Sequence, residues 1–153
     1  MSNVGSNHIL VRELDKADLD NGLFESLSNL SDVSGIDQGE ALQLLNLIKM
    51  DPYHEIFVAV LGDGSVVGSI TILIEKKFIH NCGKVGHIED VVTRKGYEGR
   101  GIGSALVRRA LEFATTHNCY KVILDCSEGN VAFYEKIGFR RHGVLMRYDL
   151  HNK

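Results

Sequence analysis

Apolar positions along the chain change period several times, and each change predicts an element. Ile9-Leu10-Val11-Arg12 is short and β-rich and fits a first strand. From Asp15 onward leucines recur every four residues at 19, 23 and 27, which predicts a helix. Leu42, Leu45 and Ile48 share a face in a second helix over Gln38 to Lys49, and Asp51-Pro52 marks the boundary behind it. Ile56 to Leu61 and Val66 to Ile74 are β-rich runs joined through Gly62-Asp63-Gly64-Ser65, a hairpin signal. Glu75 to Lys84 is a polar and aromatic interruption, after which Gly86 to Val92 resumes as a strand. Apolar residues at 102, 106, 110 and 113 predict an amphipathic helix. Lys121 to Leu124 fits a further strand and Val131 to Ile137 a short helix, and Phe139 with Val144 to Leu150 is expected to close the sheet. The expected order is β-α-α-β-β-β-α-β-α-β.

There is no internal repeat, low-complexity tract or linker block, and Pro52 is the only proline. One continuous domain over residues 1–153 is expected, with 1–7 as a flexible N-terminal tail. A chain of 153 residues, 44% hydrophobic and 24% charged, suffices for one compact core. The net charge of -3 gives no electrostatic reason to expect nucleic acid or an anionic membrane as partner. The polar start lacks the features of a signal peptide, and no apolar run approaches the ~20 residues of a spanning helix. A soluble, cytoplasmic protein is expected, with an organelle matrix left open. Cys82, Cys119 and Cys126 form no C-x-x-C pair and are expected as reduced thiols, two of them facing the core. His80 and His87 flank Cys82, but no tetrahedral ligand set accompanies them, so no metal is expected.

The stretch "YEGRGIGS", 97 to 104, places Gly99, Gly101 and Gly103 on alternate positions at the start of the amphipathic helix. A Walker loop would need lysine where Ile102 stands, and the dinucleotide fingerprint needs G-x-G-x-x-G rather than G-x-G-x-G. What survives is the physics beneath both: exposed amides at a helix N-terminus, a favourable dipole, and no Cβ to hinder a pyrophosphate. On the glycines alone, a plain turn is equally open.

The glycine loop together with Asn130-Val131-Ala132-Phe133-Tyr134-Glu135-Lys136-Ile137-Gly138-Phe139 resembles the GNAT superfamily of acetyl-CoA-dependent N-acetyltransferases. That resemblance implies an α/β (α+β) fold with a mixed, mostly antiparallel sheet, two splayed parallel central strands and helices on both faces. It implies acetyl-CoA as co-substrate and no metal. The pyrophosphate would sit on Gly99, Arg100, Gly101, Ile102, Gly103 and Ser104, and the pantetheine arm along Val91, Val92 and Thr93, with Asp125, Asn130 and Tyr134 beyond. One departure stands out: the superfamily usually carries Gln or Arg where this chain has Glu98, whose side chain is expected to point to solvent while Arg94, Lys95 and Arg100 supply positive charge.

"KFIH" at 77 to 80, "GHIEDVV" at 86 to 92, "NCYK" at 118 to 121 and "LDC" at 124 to 126 are similar, more narrowly, to the glucosamine-6-phosphate N-acetyltransferases. The implied reaction is direct acetyl transfer to the amine of glucosamine 6-phosphate, a step toward UDP-N-acetylglucosamine. Direct transfer needs an oriented neutral amine, a donor for the developing oxyanion and support for the departing thiolate. Carried over by the resemblance, Glu89, Asp90 and Val91 meet the acceptor, and the proton leaves through Asp90, a backbone carbonyl or water. Tyr134 lies near the sulfur. A phenol at ~10 against a thiol at ~8.5 makes a hydrogen bond to the thiolate a safer role than full proton transfer. Asp125 orients Tyr134 or the cofactor, and Asn130 bonds the pantetheine or its thiol end. Lys77 and His80, within Lys77-Phe78-Ile79-His80, and Ser31 lie on the sugar-phosphate side. Tyr120 and Lys121 come from the second subunit of a homodimer. The family's C-terminal phosphate-binding arginine has no clean match, Arg147 following Met146. A GNAT enzyme for another small amine or a protein amine, and a non-catalytic acyl-CoA-binding module, are the rival readings.

Overall fold

Residues 8–151 are described by the structure, a computed structural model, and the tail expected over residues 1–7 lies outside them. The polypeptide divides into one unit that reaches to Ile123 and a second that begins at Leu124. The first unit contains five strands, β1 (Leu10–Glu13), β2 (His54–Val60), β3 (Val66–Lys76), β4 (Lys84–Thr93) and β5 (Cys119–Ile123), ordered β1-β2-β3-β4-β5 in one sheet. Neighbours are antiparallel except β4 and β5, which are parallel. The mixed, mostly antiparallel sheet is therefore present, with β5 at its edge. Its helices are α1 (Leu23–Leu27), α2 (Gln38–Met50), a single turn α3 (Ile79–Cys82) and α4 (Ile102–Thr116), and the second unit carries α5 (Val131–Ile137).

β3 opens with an unbroken buried run, Val66 to Ile70, rather than an alternation, because the sheet is covered on both faces. On one face Leu14, Leu19, Leu23, Ala41 and Leu45 pack with Val58, Val60 and Val66. On the other, Phe113 of α4 meets Phe57 edge-on at 5.8 Å, and Ile102 and Leu106 press against the backbone at Gly68. The ladder pairs Ala59 with Gly68 but Val60 with Val66, so Val67 is an extra residue that switches which side chains face which layer. α2 starts where the Asp37 carboxylate accepts from the Glu40 N–H at 3.0 Å. It stops at Asp51-Pro52, as the pre-proline restriction requires.

The helix expected from Asp15 through Leu27 forms in two pieces, a 3-10 turn over Lys16–Asp20 and then α1. The break is at Gly22, at φ 105°, where the chain passes so close to β3 that the Val66 N–H donates to the Asn21 carbonyl at 2.9 Å. A Cβ on Gly22 would lie 2.5 Å from the Val66 oxygen, so tertiary contact overrides the leucine period.

The strand expected at Phe139 and Val144 to Leu150 does not form: no described residue from Leu124 onward is in a strand. Its apolar positions stay in solvent, Val144 87% and Met146 86% exposed, since strand propensity has no effect without a neighbouring ladder to pair with. The cysteines also differ from expectation: Cys82 and Cys126 are exposed and Cys119 is half-buried. Cys82 ends the exposed turn α3, and Cys126 lies past the end of β5. No helix among the described residues is long and apolar enough to cross a membrane.

Asp18 is a buried charge of this unit, 1% exposed. Its oxygens take Arg12 Nη1 at 2.7 Å and Nη2 at 2.8 Å, and Oδ2 also accepts the Asp15 N–H at 2.8 Å. Burial pushes its pKa up, but Arg12 and the Asp15 amide outweigh that, holding the carboxyl below its ordinary value. Asp18→Asn is expected to lower unfolding stability by about 2–3 kcal/mol in urea at neutral pH. Because the folded pKa is depressed, the wild-type advantage is present above the unfolded carboxyl's pKa and shrinks as pH falls through the folded value. An equal urea midpoint for both proteins would remove Asp18 from this role. Gly22→Ala is expected to cost at least about 2 kcal/mol by the same measurement.

Candidate active site

The parallel pairing of β4 with β5 runs from Lys84↔Cys119 to His87↔Ile123, whereas β4 continues to Thr93. β5 is thus paired over its whole length and β4 over its first half only. On the other side of β4, Ser69 pairs with Val92 and Thr71 with Glu89, so Asp90 and Val91 together oppose Ile70. This is a bulge, and Asp90 adopts φ 50° at its centre, a conformation Asp tolerates better than most side chains. A bulge takes backbone groups out of the ladder and re-aims them. Glu89 and Asp90 are exposed, Val91 is half-buried and Val92 is buried.

Directly after β4, the Arg94 N–H donates to the Val67 carbonyl at 2.8 Å and the Tyr97 N–H to Arg94 at 3.0 Å, which folds the chain into the glycine loop. Gly99 and Gly101 lie at φ 77° and 81°, and Cβ atoms on either would meet nothing within 4 Å. Open space therefore lies beside this backbone. Gly101 is the N-cap of α4 and makes no side-chain cap, and no acidic residue occupies the first turn through Ile102, Gly103 and Ser104. Uncapped amides, the positive end of the helix dipole and an unobstructed approach together suit a phosphate group. The Arg100 guanidinium lies over the Tyr97 ring, 4.8 Å from its centroid. Glu98 is exposed, as expected, and its carboxylate also accepts the Gly96 N–H at 2.8 Å and Asn29 Nδ2 at 3.2 Å. The turn at Gly96 brings that amide within reach.

His80 comes together with Tyr120 and Lys121 of its own chain, residues expected to serve the site of a second subunit. The His80 ring tilts against the Tyr120 ring at 4.1 Å, and Lys121 Nζ lies 5.7 Å from the Tyr120 centroid. His80, Asn81 and Cys82 all take positive φ, which throws the turn outward and leaves Phe78 96% and Ile79 61% exposed. Lys77 is engaged with Glu75, Nζ to Oε2 at 3.3 Å, while Glu75 Oε1 meets His87 Nε2 at 2.8 Å. Hydrogen bonds from His87 and Lys77 hold the Glu75 carboxyl below its ordinary pKa. Ser31 is exposed just beyond α1, its N–H donating to Leu27 at 3.1 Å. The motifs pass over Glu75 and Asn29 and give His87 no partner; these partnerships depend on strand register and loop packing, which no spacing encodes.

In the second unit Tyr134 is buried, with the rings of Phe133 and Phe139 edge-on to it at 4.9 and 5.7 Å. Burial raises the phenol pKa, and the negative charge of Cys126 and Asp125 raises it further. The phenol is therefore protonated at neutral pH and available as a donor. Asn130 is exposed at the start of α5, its N–H bonded to the Ser127 carbonyl at 2.9 Å. Arg147 pairs with Asp149 at 2.7 Å. No group of three or more His, Cys, Asp or Glu side chains able to hold a metal occurs among the described residues.

The sequence profile of the acetyltransferase (GNAT) family matches residues 23–139. Glucosamine 6-phosphate N-acetyltransferase 1 of Dictyostelium discoideum is 38% identical, covering 95% of this chain and 94% of its own. The Candida albicans glucosamine 6-phosphate N-acetyltransferase is 42% identical, with 88% and 91% covered. Among solved structures, the Arabidopsis thaliana glucosamine-6-phosphate N-acetyltransferase superposes with a TM-score of 0.90 at 33% identity, covering 94% of this chain and 99% of that one. With β4 outrunning its parallel partner, the bulge and the uncapped glycine loop, these likenesses make the chain a member of the GNAT acetyltransferase family, in its glucosamine 6-phosphate N-acetyltransferase branch.

Proposed function

We propose that the protein, working as one domain over its whole length, transfers the acetyl group of acetyl-CoA to the amine of D-glucosamine 6-phosphate. The observation that carries the reading is the bulge at Asp90-Val91 where β4 outruns β5, immediately before the glycine loop. The acceptor follows the relatives' names, which agree across nearly the whole chain.

Acetyl-CoA supplies the activated thioester. Gly99, Arg100, Gly101, Ile102, Gly103 and Ser104 hold its pyrophosphate through backbone N–H groups at the α4 start, and the edge of β4 at Val91, Val92 and Thr93 holds the pantetheine arm. The Val91 N–H donates to the carbonyl oxygen as negative charge grows there. Glu89 and Asp90 accept from the sugar's hydroxyls and ammonium, and the proton leaves through Asp90, a backbone carbonyl or water. Tyr134 donates to the departing sulfur; its raised pKa keeps the proton on the phenol, so it stabilises the thiolate by a hydrogen bond. Asp125 orients the phenol and Asn130 bonds the thiol end. On the phosphate side Lys77, His80 and Ser31 supply donors, Phe78 and Ile79 wall the acceptor, and Tyr120 and Lys121 of the partner subunit complete a homodimeric site. The cytoplasm is the proposed compartment.

Release of free CoA thiol with alternative acceptors tests the reading. Glucosamine 6-phosphate is expected to exceed glucosamine and a lysine peptide by at least about 100-fold in kcat/KM, because phosphate-binding donors left empty by the unphosphorylated sugar cost several kcal/mol. Turnover of the peptide alone would sink it, and tight CoA binding without turnover of any acceptor would indicate a binding module. Tyr134→Phe is expected to lower kcat about 10- to 100-fold with acetyl-CoA affinity nearly unchanged, measured by steady-state kinetics and calorimetry. An unaltered kcat would leave Tyr134 as a packing residue.

A further inference from the structure

Glu98 puts a negative charge against the loop that we read as a pyrophosphate cradle, where Coulomb repulsion alone would weaken binding. Its carboxylate, though exposed, is committed to neighbouring chain. Oε2 accepts the Gly96 N–H at 2.8 Å, and Oε1 accepts from Asn29 Nδ2 at 3.2 Å. The same Asn29 nitrogen donates to the Thr93 carbonyl at 2.7 Å. An amide NH2 carries two hydrogens, so both bonds form together, and an ionised carboxylate accepts at both oxygens. Hydrogen bonds to backbone N–H groups hold the Glu98 carboxyl below its ordinary pKa.

The chain between Thr93 and Glu98 is thus pinned at both ends by one side chain that lies more than sixty residues away in sequence. Asn29 is itself anchored, its N–H donating to the Ser26 carbonyl at 3.2 Å, and Ser26 is fully buried against the backbone at Gly22 and Val66. Two residues beyond Asn29 stands Ser31. The pinned segment holds Gly96 and leads directly into Gly99 and Gly101, all three at positive φ, and such a backbone is broadly mobile when nothing restrains it.

We infer that Glu98 and Asn29 are positioning residues that hold the glycine loop in the shape that receives the pyrophosphate and join it to the Ser31 segment on the acceptor side. The inference rests on the reading of the loop as the acetyl-CoA cradle. It inverts the sign expected of an acid beside phosphates: removing the charge weakens cofactor binding instead of strengthening it, since the loop must then be ordered during binding.

The test is calorimetric titration of CoA into the full chain without acceptor, for wild type, Glu98→Ala, Glu98→Gln, Asn29→Ala and the double alanine variant, with the ligand-free Tm of each. Glu98→Ala is expected to raise Kd about tenfold, for the loss of two charge-assisted bonds at an exposed position. Glu98→Gln is expected to fall between, because its amide oxygen keeps the Gly96 bond while its NH2 opposes that of Asn29. The double variant is expected within about twofold of the weaker single, as for two parts of one device. Ligand-free Tm is expected to move by no more than a few degrees, as for surface positions. In steady-state kinetics KM for acetyl-CoA rises with Kd while kcat holds within about twofold.

Equal or tighter CoA binding by Glu98→Ala or Glu98→Gln overturns the inference and makes Glu98 a repulsive charge. Multiplying effects in the double variant overturn it as well. Absence of CoA binding by the wild type overturns both this inference and the cofactor reading. Absence of glucosamine 6-phosphate turnover touches only the acceptor, because binding here is measured without one.

Discussion

A β-strand satisfies its backbone by pairing on two sides, and β4 does so only in part. Its partner β5 stops opposite His87 while β4 runs six residues further, and within that reach the bulge at Asp90-Val91 loosens the other ladder too. Backbone polar groups taken from a ladder seek another partner. The second half of β4 thereby offers directed donors and acceptors where a fully paired strand would offer none. The glycine loop follows directly after this stretch.

Rigid surroundings make that opening usable. β3 is packed on both faces, by the leucine cluster on one and by α4 on the other, and it carries β4 through an eleven-residue strand. The Asp18–Arg12 pair fixes the turn before α1 at a buried position. From α1 the chain reaches Asn29, whose side chain meets Thr93 and Glu98. A continuous series of packed and hydrogen-bonded groups therefore leads from the core to the loop. The loop itself is rich in glycine and gains its shape from those contacts rather than from its own preferences.

Much of this was legible in advance where local rules decide. α5 spans Val131–Ile137 and α4 begins at Ile102, as the apolar spacing predicts. The hairpin after β2 turns where Asp63 Oδ1 collects the Ser65 N–H and hydroxyl, at 2.9 and 2.6 Å. Misreadings arose where distant chain intervenes. The leucine repeat at 19, 23 and 27 suits one helix, but Val66 claims the Asn21 carbonyl and breaks it. Val144 to Leu150 has the composition of a strand and no ladder to join. Glu98 is exposed as expected, but its bonds to Gly96 and Asn29 exist only once the loop has folded.

The sequence by itself determined the element types up to α5 apart from the broken first helix, the glycine-opened helix, the order of the five strands that form and the family to which the chain belongs, because periodicity, turn chemistry and motif spacing are local properties. Only the tertiary structure decided that β4 bulges at Asp90, that it outruns β5, that Lys77 meets Glu75, and that Asn29 bridges Thr93 to Glu98. Each of these joins residues through strand register or loop packing, and register is settled by the competition of all strands for one core. No short window of sequence contains that competition.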